Sequence, residues 1–356
     1  MTKLLLLGAG KIGSAITALL AETGDYEITV ADANSEMLKL IPEHEAERRT
    51  ANVADEDTLH SIAKGQDIIV SALPFFLNAP VAEAAREAGA HYFDLTEDVE
   101  TTEKVKAIAD GAKTAFVPQC GLAPGFVSIV ANDVAGRFAS LRDVHMRVGA
   151  LPQYPVNALR YNLTWSTDGL INEYCNPCDA VHDGDRVKVL ALEGLEHFSL
   201  EGVRYEAFNT SGGLGTLAET LDGKVDSLNY KTVRYPGHRD MVRMLVRDLR
   251  LSERRGLFRD LLDTAVPMTK QDVVLIFVTV AGEQEGRLTQ ETYAKKIYNK
   301  EIAGHEWSAI QVTTAAGICA MVDLMVEGKL PAKGFVRQEQ CKLDDFLANR
   351  FGAHYA

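Results

Sequence analysis

Three blocks beyond residue 150 of the 356-residue chain gather the side chains able to do chemistry on a small molecule. They run from Leu159 to Gly169, from Tyr205 to Gly213 and from Asn229 to His238. Arg160 and Arg234 lie beside aromatic residues, and a guanidinium grips a carboxylate through two parallel hydrogen bonds. A carboxylate-bearing ligand is therefore expected, walled by Tyr161 and Trp165, with Ser166, Thr210 and Gly212 completing the candidate binding set. A group that moves protons near neutral pH is also expected, and histidine starts in that range. His238, directly after Pro236-Gly237, is the first choice for this base and Asp94 the second. Simpler readings stay open: solvated arginines, a capping histidine or aspartate, and a plain turn over Thr210–Gly213.

A second constellation opens the chain. The apolar run Lys3–Leu7 stops at Gly8-Ala9-Gly10-Lys11-Ile12-Gly13, a helical pattern follows, and a second strand ends in Asp32. A G-x-G-x-x-G between strand and helix, with an acid roughly 20 residues on, marks a dinucleotide site. Gly8 makes the tight turn, Gly10 lets the backbone approach a pyrophosphate, and Gly13 lets the helix pack on the strand. Lys11 and Ile12 begin the helix whose positive end receives the phosphates. Asp32 accepts ribose hydroxyls and repels a 2′-phosphate. The Asp32-Ala33-Asn34-Ser35 stretch has no arginine to hold one, so NAD is expected over NADP. Ligands in such sheets sit at the carboxyl ends of the strands. That adds Ala33, Asn52, Val53, Ser71, Ala72, Leu73, Pro74 and Leu95 to the cofactor set, and puts Asp94–Glu97 and Cys120–Gly125 on the rim.

These sites need elements to hold them. Strand and helix patterns alternate through residue 118, which means parallel pairing and a doubly wound, Rossmann-type α/β sheet. The rhythm changes at Gly121–Gly125. Longer β-like segments follow at Val144–Val148, Tyr205–Phe208, Leu228–Arg234 and Val273–Ala281, with helical patterns at Phe126–Arg137, Arg239–Leu249 and Leu257–Leu262. The expectation is a second, α+β domain with a mostly antiparallel sheet. Residues 1–122 are assigned to the nucleotide domain and 123–305 to a substrate-binding and dimerisation domain. The helical run Trp307–Glu327 is expected to return 306–356 to the first, with substrate held between the two domains.

Composition narrows the classes. A hydrophobic content of 46% and a charged content of 24% suit a globular protein with a core. A net charge of −13 argues against nucleic acid or an anionic membrane as partner. No apolar run is judged long enough for a membrane span, and Met1–Ala21 reads as strand, turn and helix rather than a leader. Five cysteines do not suggest a disulfide framework. Cys175-Asn176-Pro177-Cys178 has only His182 nearby to extend a zinc set, so no metal is expected. The expected setting is the cytoplasm, and the expected assembly a homodimer.

Taken together, the Gly121–Gly125 block, the T-S-G-G of Thr210–Gly213 and the R-Y-P-G-H of Arg234–His238 make the chain resemble the saccharopine dehydrogenase and lysine 6-dehydrogenase family, from Leu4 to about Gln338. The resemblance implies a nicotinamide-dependent oxidation at the ε-carbon of lysine or a lysine adduct. The iminium formed is then hydrolysed. Saccharopine would give glutamate and aminoadipate semialdehyde; lysine would give ammonia and a semialdehyde that cyclises. Saccharopine, with three carboxylates, fits the cations Arg147, Arg160, Lys231, Arg234 and Arg239 somewhat better. Two rivals remain: an imine reductase like carboxynorspermidine dehydrogenase, and an NAD sensor without turnover.

Overall fold

The computed structural model describes residues 1–302 and 304–356, which form two compact units. The first comprises residues 1–129, 301–305 and 311–356; the second comprises 130–300 and 306–310.

In the first unit the strands β1 (Thr2–Leu7), β2 (Tyr26–Asp32), β3 (Glu47–Thr50), β4 (Ile68–Ser71), β5 (His91–Asp94) and β6 (Ala115–Val117) lie in the order β6-β5-β4-β1-β2-β3. All pairs are parallel, and Gly334–Phe335 adds a last parallel strand beside β6. The helices between them are α1 (Lys11–Thr23), α2 (Ser35–Leu38), α3 (Glu56–Ala63), α4 (Asn78–Ala88) and α5 (Val99–Ala109). This is the doubly wound α/β sheet expected from the alternation. Leu4–Leu7 are fully buried, as a central parallel strand covered on both faces must be. Asn52 and Val53 fall in the turn after β3 rather than within it.

The unit boundary falls within α6 (Phe126–Ala135). The second unit carries β7 (Ser140–Pro152), β8 (Cys178–His182), β9 (Asp185–Val189), β10 (Glu196–Leu200), β11 (Val203–Asn209), β12 (Val225–Arg234), β13 (Asp272–Gln284) and β14 (Arg287–Tyr298). The main path is β10-β11-β12-β7-β13-β14, with β8 on β12 and β9 on β8. Every pair is antiparallel except β12 with β7. Three helices pack on this unit's chain: α7 (Thr167–Cys175), α9 (His238–Arg243) and α10 (Arg255–Ala265), with the short α8 (Leu217–Thr220) between the first two. The pattern expected over Arg239–Leu249 is one α-helix in sequence. In the structure α9 ends at Arg243 and Met244–Asp248 continues as a wider π turn.

One sequence expectation needs correcting. α11 (Ala309–Val326) is 18 residues long with a mean hydropathy of 1.7, which meets the length and composition of a membrane span. Of this stretch 83% is buried inside the fold, as in a core helix. Near its end, Asp323 accepts hydrogen bonds from Tyr26 Oη (2.7 Å), Arg350 Nη2 (2.7 Å) and Asn349 Nδ2 (2.8 Å). Burial opposes ionisation of Asp323, but the bonds from Arg350, Tyr26 and Asn349 outweigh it and hold the carboxyl below its ordinary value. A depressed carboxylate stabilises the fold above its unfolded pKa and loses that contribution as pH falls through the folded one. Asp323→Asn should therefore destabilise the protein by about 2 kcal/mol at pH 7, since Arg350 is partly solvated. The gap from wild type should shrink below pH 3.8; denaturant titrations at pH 7 and pH 3 check this.

Candidate functional site

The first unit builds its site from one crowded turn. Gly8 has φ +102°, and a Cβ there would meet the Ala72 carbonyl oxygen at 2.8 Å. A Cβ on Gly13 would sit 1.9 Å from the Gly8 carbonyl oxygen. Both glycines are thus required by the protein's own packing. Gly10, which precedes α1, would meet nothing within 4 Å. Its bare Cα faces open space, the cradle that a Cβ would narrow against a pyrophosphate. The Asp32 carboxylate closes the turn by accepting from Ala9 N (2.8 Å) and Asn34 N (2.8 Å). Backbone bonds from Gly8 N to Ala31 O and from Ala72 N to Leu7 O, both 2.8 Å, join β1, β2 and β4 at this edge. The structure therefore brings Gly8, Gly10, Gly13, Asp32 and Ala72 together. These residues fit a dinucleotide.

The rest of the cofactor set surrounds them less tightly. Lys11 and Ala33 are exposed; Ile12, Leu73 and Leu95 are half-buried; Pro74 is exposed after β4. Asn52 is exposed and accepts from Ala54 N, shaping its own turn, while Val53 is buried. Ser71 donates to Asn78 Oδ1 (2.7 Å), tying the end of β4 to α4. Asp94 is fully buried and accepts from Tyr92 Oη, Thr96 N and Gln119 N at 2.7–2.9 Å. It shapes the rim, its carboxylate buried and engaged by three donors, which does not suit the second-choice base.

In the second unit Arg234, at the end of β12, is 2% exposed. Its Nε donates to Tyr174 Oη (3.1 Å) and its Nη1 to Val233 O (2.8 Å). The guanidinium lies over the rings of Tyr161 (4.9 Å) and Tyr174 (5.9 Å). Tyr174 Oη is also 2.9 Å from His238 Nε2, and His238 Nδ1 is 2.8 Å from Leu159 O. A carbonyl only accepts, so Nδ1 carries the ring proton; Nε2 then accepts from the tyrosine, which accepts from the arginine. Glu206 of β11 sets the position of His238, taking bonds from Gly237 N (2.7 Å) and Arg239 N (2.6 Å) at the start of α9.

This corrects the assignment of His238 as a near-neutral base. Burial, aided by the Arg234 charge, pushes its pKa down to about 3. The ring stays neutral throughout the physiological range, and both nitrogens are engaged. His238 holds Tyr174, and Tyr174 holds Arg234.

The other expected substrate residues divide. Tyr161 joins the network, its ring 5.2 Å from that of His238. Arg160 is exposed at φ +50° and is not drawn in; Ser166 is exposed and caps α7 through Gly169 N; Trp165 packs half-buried against the unit's core. Gly212 turns the chain at φ +88°. Thr210 is buried beside α7, where Ser211 N bonds Glu173 O (3.0 Å). The hydroxyls of Tyr161, Thr164 and Thr210 and the amide oxygen of Asn162 are buried with no hydrogen-bond partner among the described residues. Buried polar groups are rarely left so, and these four cluster in the predicted blocks. Sequence reasoning missed Tyr174, Asn162 and Thr164. Tyr174 sits in the stripe Leu170-Ile171-Tyr174, whose spacing reads as core. Cys175 and Cys178 are free thiols, and no cluster of metal-binding side chains occurs among the described residues.

Two outcomes follow. Gly10→Ala should leave the melting temperature near wild type while weakening NAD binding at least tenfold; Gly13→Ala should destabilise by about 2–3 kcal/mol through overpacking. Tyr174→Phe should keep the fold and raise KM for a carboxylate ligand by roughly tenfold, the weight of one hydrogen bond to a charged group, with kcat changed less. Thermal melts, NAD titrations and steady-state kinetics read these.

Comparison with known proteins identifies the family and the fold. Residues 4–117 match the saccharopine dehydrogenase NADP binding domain and residues 121–351 the saccharopine dehydrogenase C-terminal domain. The mitochondrial alpha-aminoadipic semialdehyde synthase of Rattus norvegicus is 25% identical over 197 residues, 52% of this chain and 21% of that protein. That of Bos taurus is 21% identical over 310 residues, 83% of this chain and 33% of that protein. The chain thus spans between a fifth and a third of these relatives. Its fold is shared with a saccharopine dehydrogenase (L-Glu forming) from Saccharomyces cerevisiae, with a TM-score of 0.77, 16% identity and coverage of 95% and 94% of the two chains. A homospermidine synthase from Legionella pneumophila, solved with NAD, gives a TM-score of 0.69 at 13% identity, covering 99% and 89%. With both domain matches covering nearly its whole length, the chain belongs to the saccharopine dehydrogenase family.

Proposed function

We propose that this protein oxidises the C–N bond at the ε-carbon of a lysine-derived amine with NAD, saccharopine being the substrate and glutamate and aminoadipate semialdehyde the products. The observation that carries the reading is Arg234: a buried cation bonded only to Tyr174 Oη and Val233 O among the described residues, in a unit where Tyr161, Asn162, Thr164 and Thr210 keep buried polar atoms without a partner. A buried cation without a direct ion pair is costly, and a substrate carboxylate would add one to the longer-range pull of the Glu173 charge. Tyr161, Thr164, Thr210 and Asn162 offer the hydroxyl and amide contacts that fix its orientation.

NAD is favoured over NADP by Asp32, whose carboxylate would repel a 2′-phosphate. The two arginines of β3 are also engaged: Arg48 pairs with Glu43, and Arg49 with Glu47 at 2.9 Å. When bound, the nicotinamide supplies the acceptor for a hydride. The chain's own work is to hold the carboxylate at Arg234, to keep that arginine oriented through Tyr174 and His238, and to seat the dinucleotide on the Gly8–Gly13 turn.

The test is NADH formation by the purified protein, run in parallel on saccharopine and on L-lysine. Glutamate release from saccharopine supports the proposal. Ammonia release from lysine would instead establish the deaminating reading, which needs a single carboxylate contact and so also suits Arg234. Asp32→Ala should weaken NAD binding and narrow the preference over NADP; equal affinities for both nucleotides before and after substitution would remove its ribose role.

A further inference from the structure

The loop joining β5 to α5 holds three carboxylates at the carboxyl edge of the parallel sheet. Two have structural work. Asp94 binds Tyr92, Thr96 and Gln119, and Asp98 caps α5 by accepting from Thr101 N at 2.8 Å. Thr96 is committed as well, its Oγ1 accepting from Asp98 N at 3.1 Å. Glu97 lies between them, half-buried, bonded to no neighbouring residue among those described and touching only its own backbone N–H. Lys104 of α5, whose charge reaches Asp98, is itself held by Glu100 at 2.8 Å. The loop is thus pinned on both sides of one unpartnered carboxylate.

Its place in the topology gives that carboxylate a purpose. With the order β6-β5-β4-β1-β2-β3, the glycine turn and Asp32 lie on the β1–β2 side of the switch point. The β4–β6 side receives the second nucleotide of a dinucleotide, which in NAD is the nicotinamide. Resting on the dehydrogenase reading above, we propose that Glu97 is the general base of the reaction, taking the proton from the substrate ammonium beside the nicotinamide.

The step balances. The ammonium N–H bond breaks and a Glu97 O–H bond forms. The freed nitrogen lone pair then forms C=N as the ε-carbon loses its hydrogen with both bonding electrons, so the amine is oxidised and the dinucleotide reduced by two electrons. The proton leaves Glu97 for water through its solvent-facing side, giving the one proton released per turnover. Such a base works best with a pKa near the operating pH. Burial, with the charges of Asp98 and Asp94, raises the Glu97 carboxyl to about 7. Neither His238, held at about 3, nor Asp94, fully buried and engaged by three donors, meets that need.

The test separates the residue from the reaction. Binding of NAD⁺ is measured at pH 6 and pH 8 for wild type and Glu97→Gln, without substrate. The cationic ring should favour the ionised carboxylate, so wild-type affinity should rise on the order of threefold or more with pH; the Gln variant should show no such rise, and NADH, with a neutral ring, none in either protein. A wild-type affinity flat in pH overturns the proposal, whatever the protein's substrate. In turnover, Glu97→Gln should lower kcat by 10²–10⁴-fold and abolish the rise of kcat/KM with pH near 7, while Glu97→Asp keeps part of both. A Gln variant with wild-type kcat overturns the role. A wild type silent on both amines sinks the dehydrogenase reading, and the base role resting on it falls too; a pH-linked NAD⁺ affinity in that protein would still mark Glu97 as facing the nicotinamide ring.

Discussion

The close approach of Gly13 to the Gly8 carbonyl is the constraint on which the first unit depends. With 1.9 Å between a would-be Cβ and that oxygen, α1 can lie on the end of β1 only if residue 13 has no side chain. From this contact follow the position of the α1 N-terminus, the direction of its dipole and the gap that Gly10 keeps open. Asp32 then secures the turn through Ala9 N. The carboxylate proposed to hold the ribose already fixes the loop, so this acid is structural before any ligand arrives.

The second unit solves a different problem, the placing of a cation away from water. Arg234 could not stay buried on hydrophobic packing alone. Two aromatic faces, one tyrosine hydroxyl and a main-chain carbonyl stabilise it in part. A chain of fixed donors and acceptors runs from Arg234 through Tyr174 and His238 to Leu159. Each link has only one allowed direction, so the guanidinium has little freedom to reorient, as a charge preorganised for the proposed carboxylate would need.

How much of this could be read in the sequence depended on how local the signal was. The parallel sheet was legible because each strand is short, apolar and followed by a helix. The glycine motif was legible because its spacing is imposed by packing within a few residues. β14 was not: Arg287–Tyr298 is mostly polar and faces solvent along much of its length, so it lacks the alternation that marks a half-buried strand. β8, β9 and β10 are similarly short or polar. In the site, Arg234 and Tyr161 stood out by composition. Tyr174 did not, because its hydroxyl partner lies 64 positions away. His238 was found and its chemistry misjudged: residue type gives a starting pKa, and only burial and the adjacent guanidinium show where it ends. Glu97 was visible on the rim, but nothing in sequence separates it from Asp94 and Asp98, whose hydrogen bonds appear only in the fold.

The first unit is not continuous along the chain. Tyr26 reaches Asp323, β6 takes Gly334–Phe335 as its neighbour, and the Phe126 ring packs at a tilt against those of Phe346 and Tyr355, with centroids 5.0 and 4.0 Å away. Made from one end to the other, the chain presents its glycine turn first and the segment that completes the surrounding core last. The intervening residues must be held in an open loop meanwhile, and closing so long a loop delays these contacts. A ribosome-bound chain lacking residues 311–356 would therefore show a sheet edge and an apolar surface that the finished protein hides, and a chaperone would meet the nucleotide unit before that unit could hold its ligand.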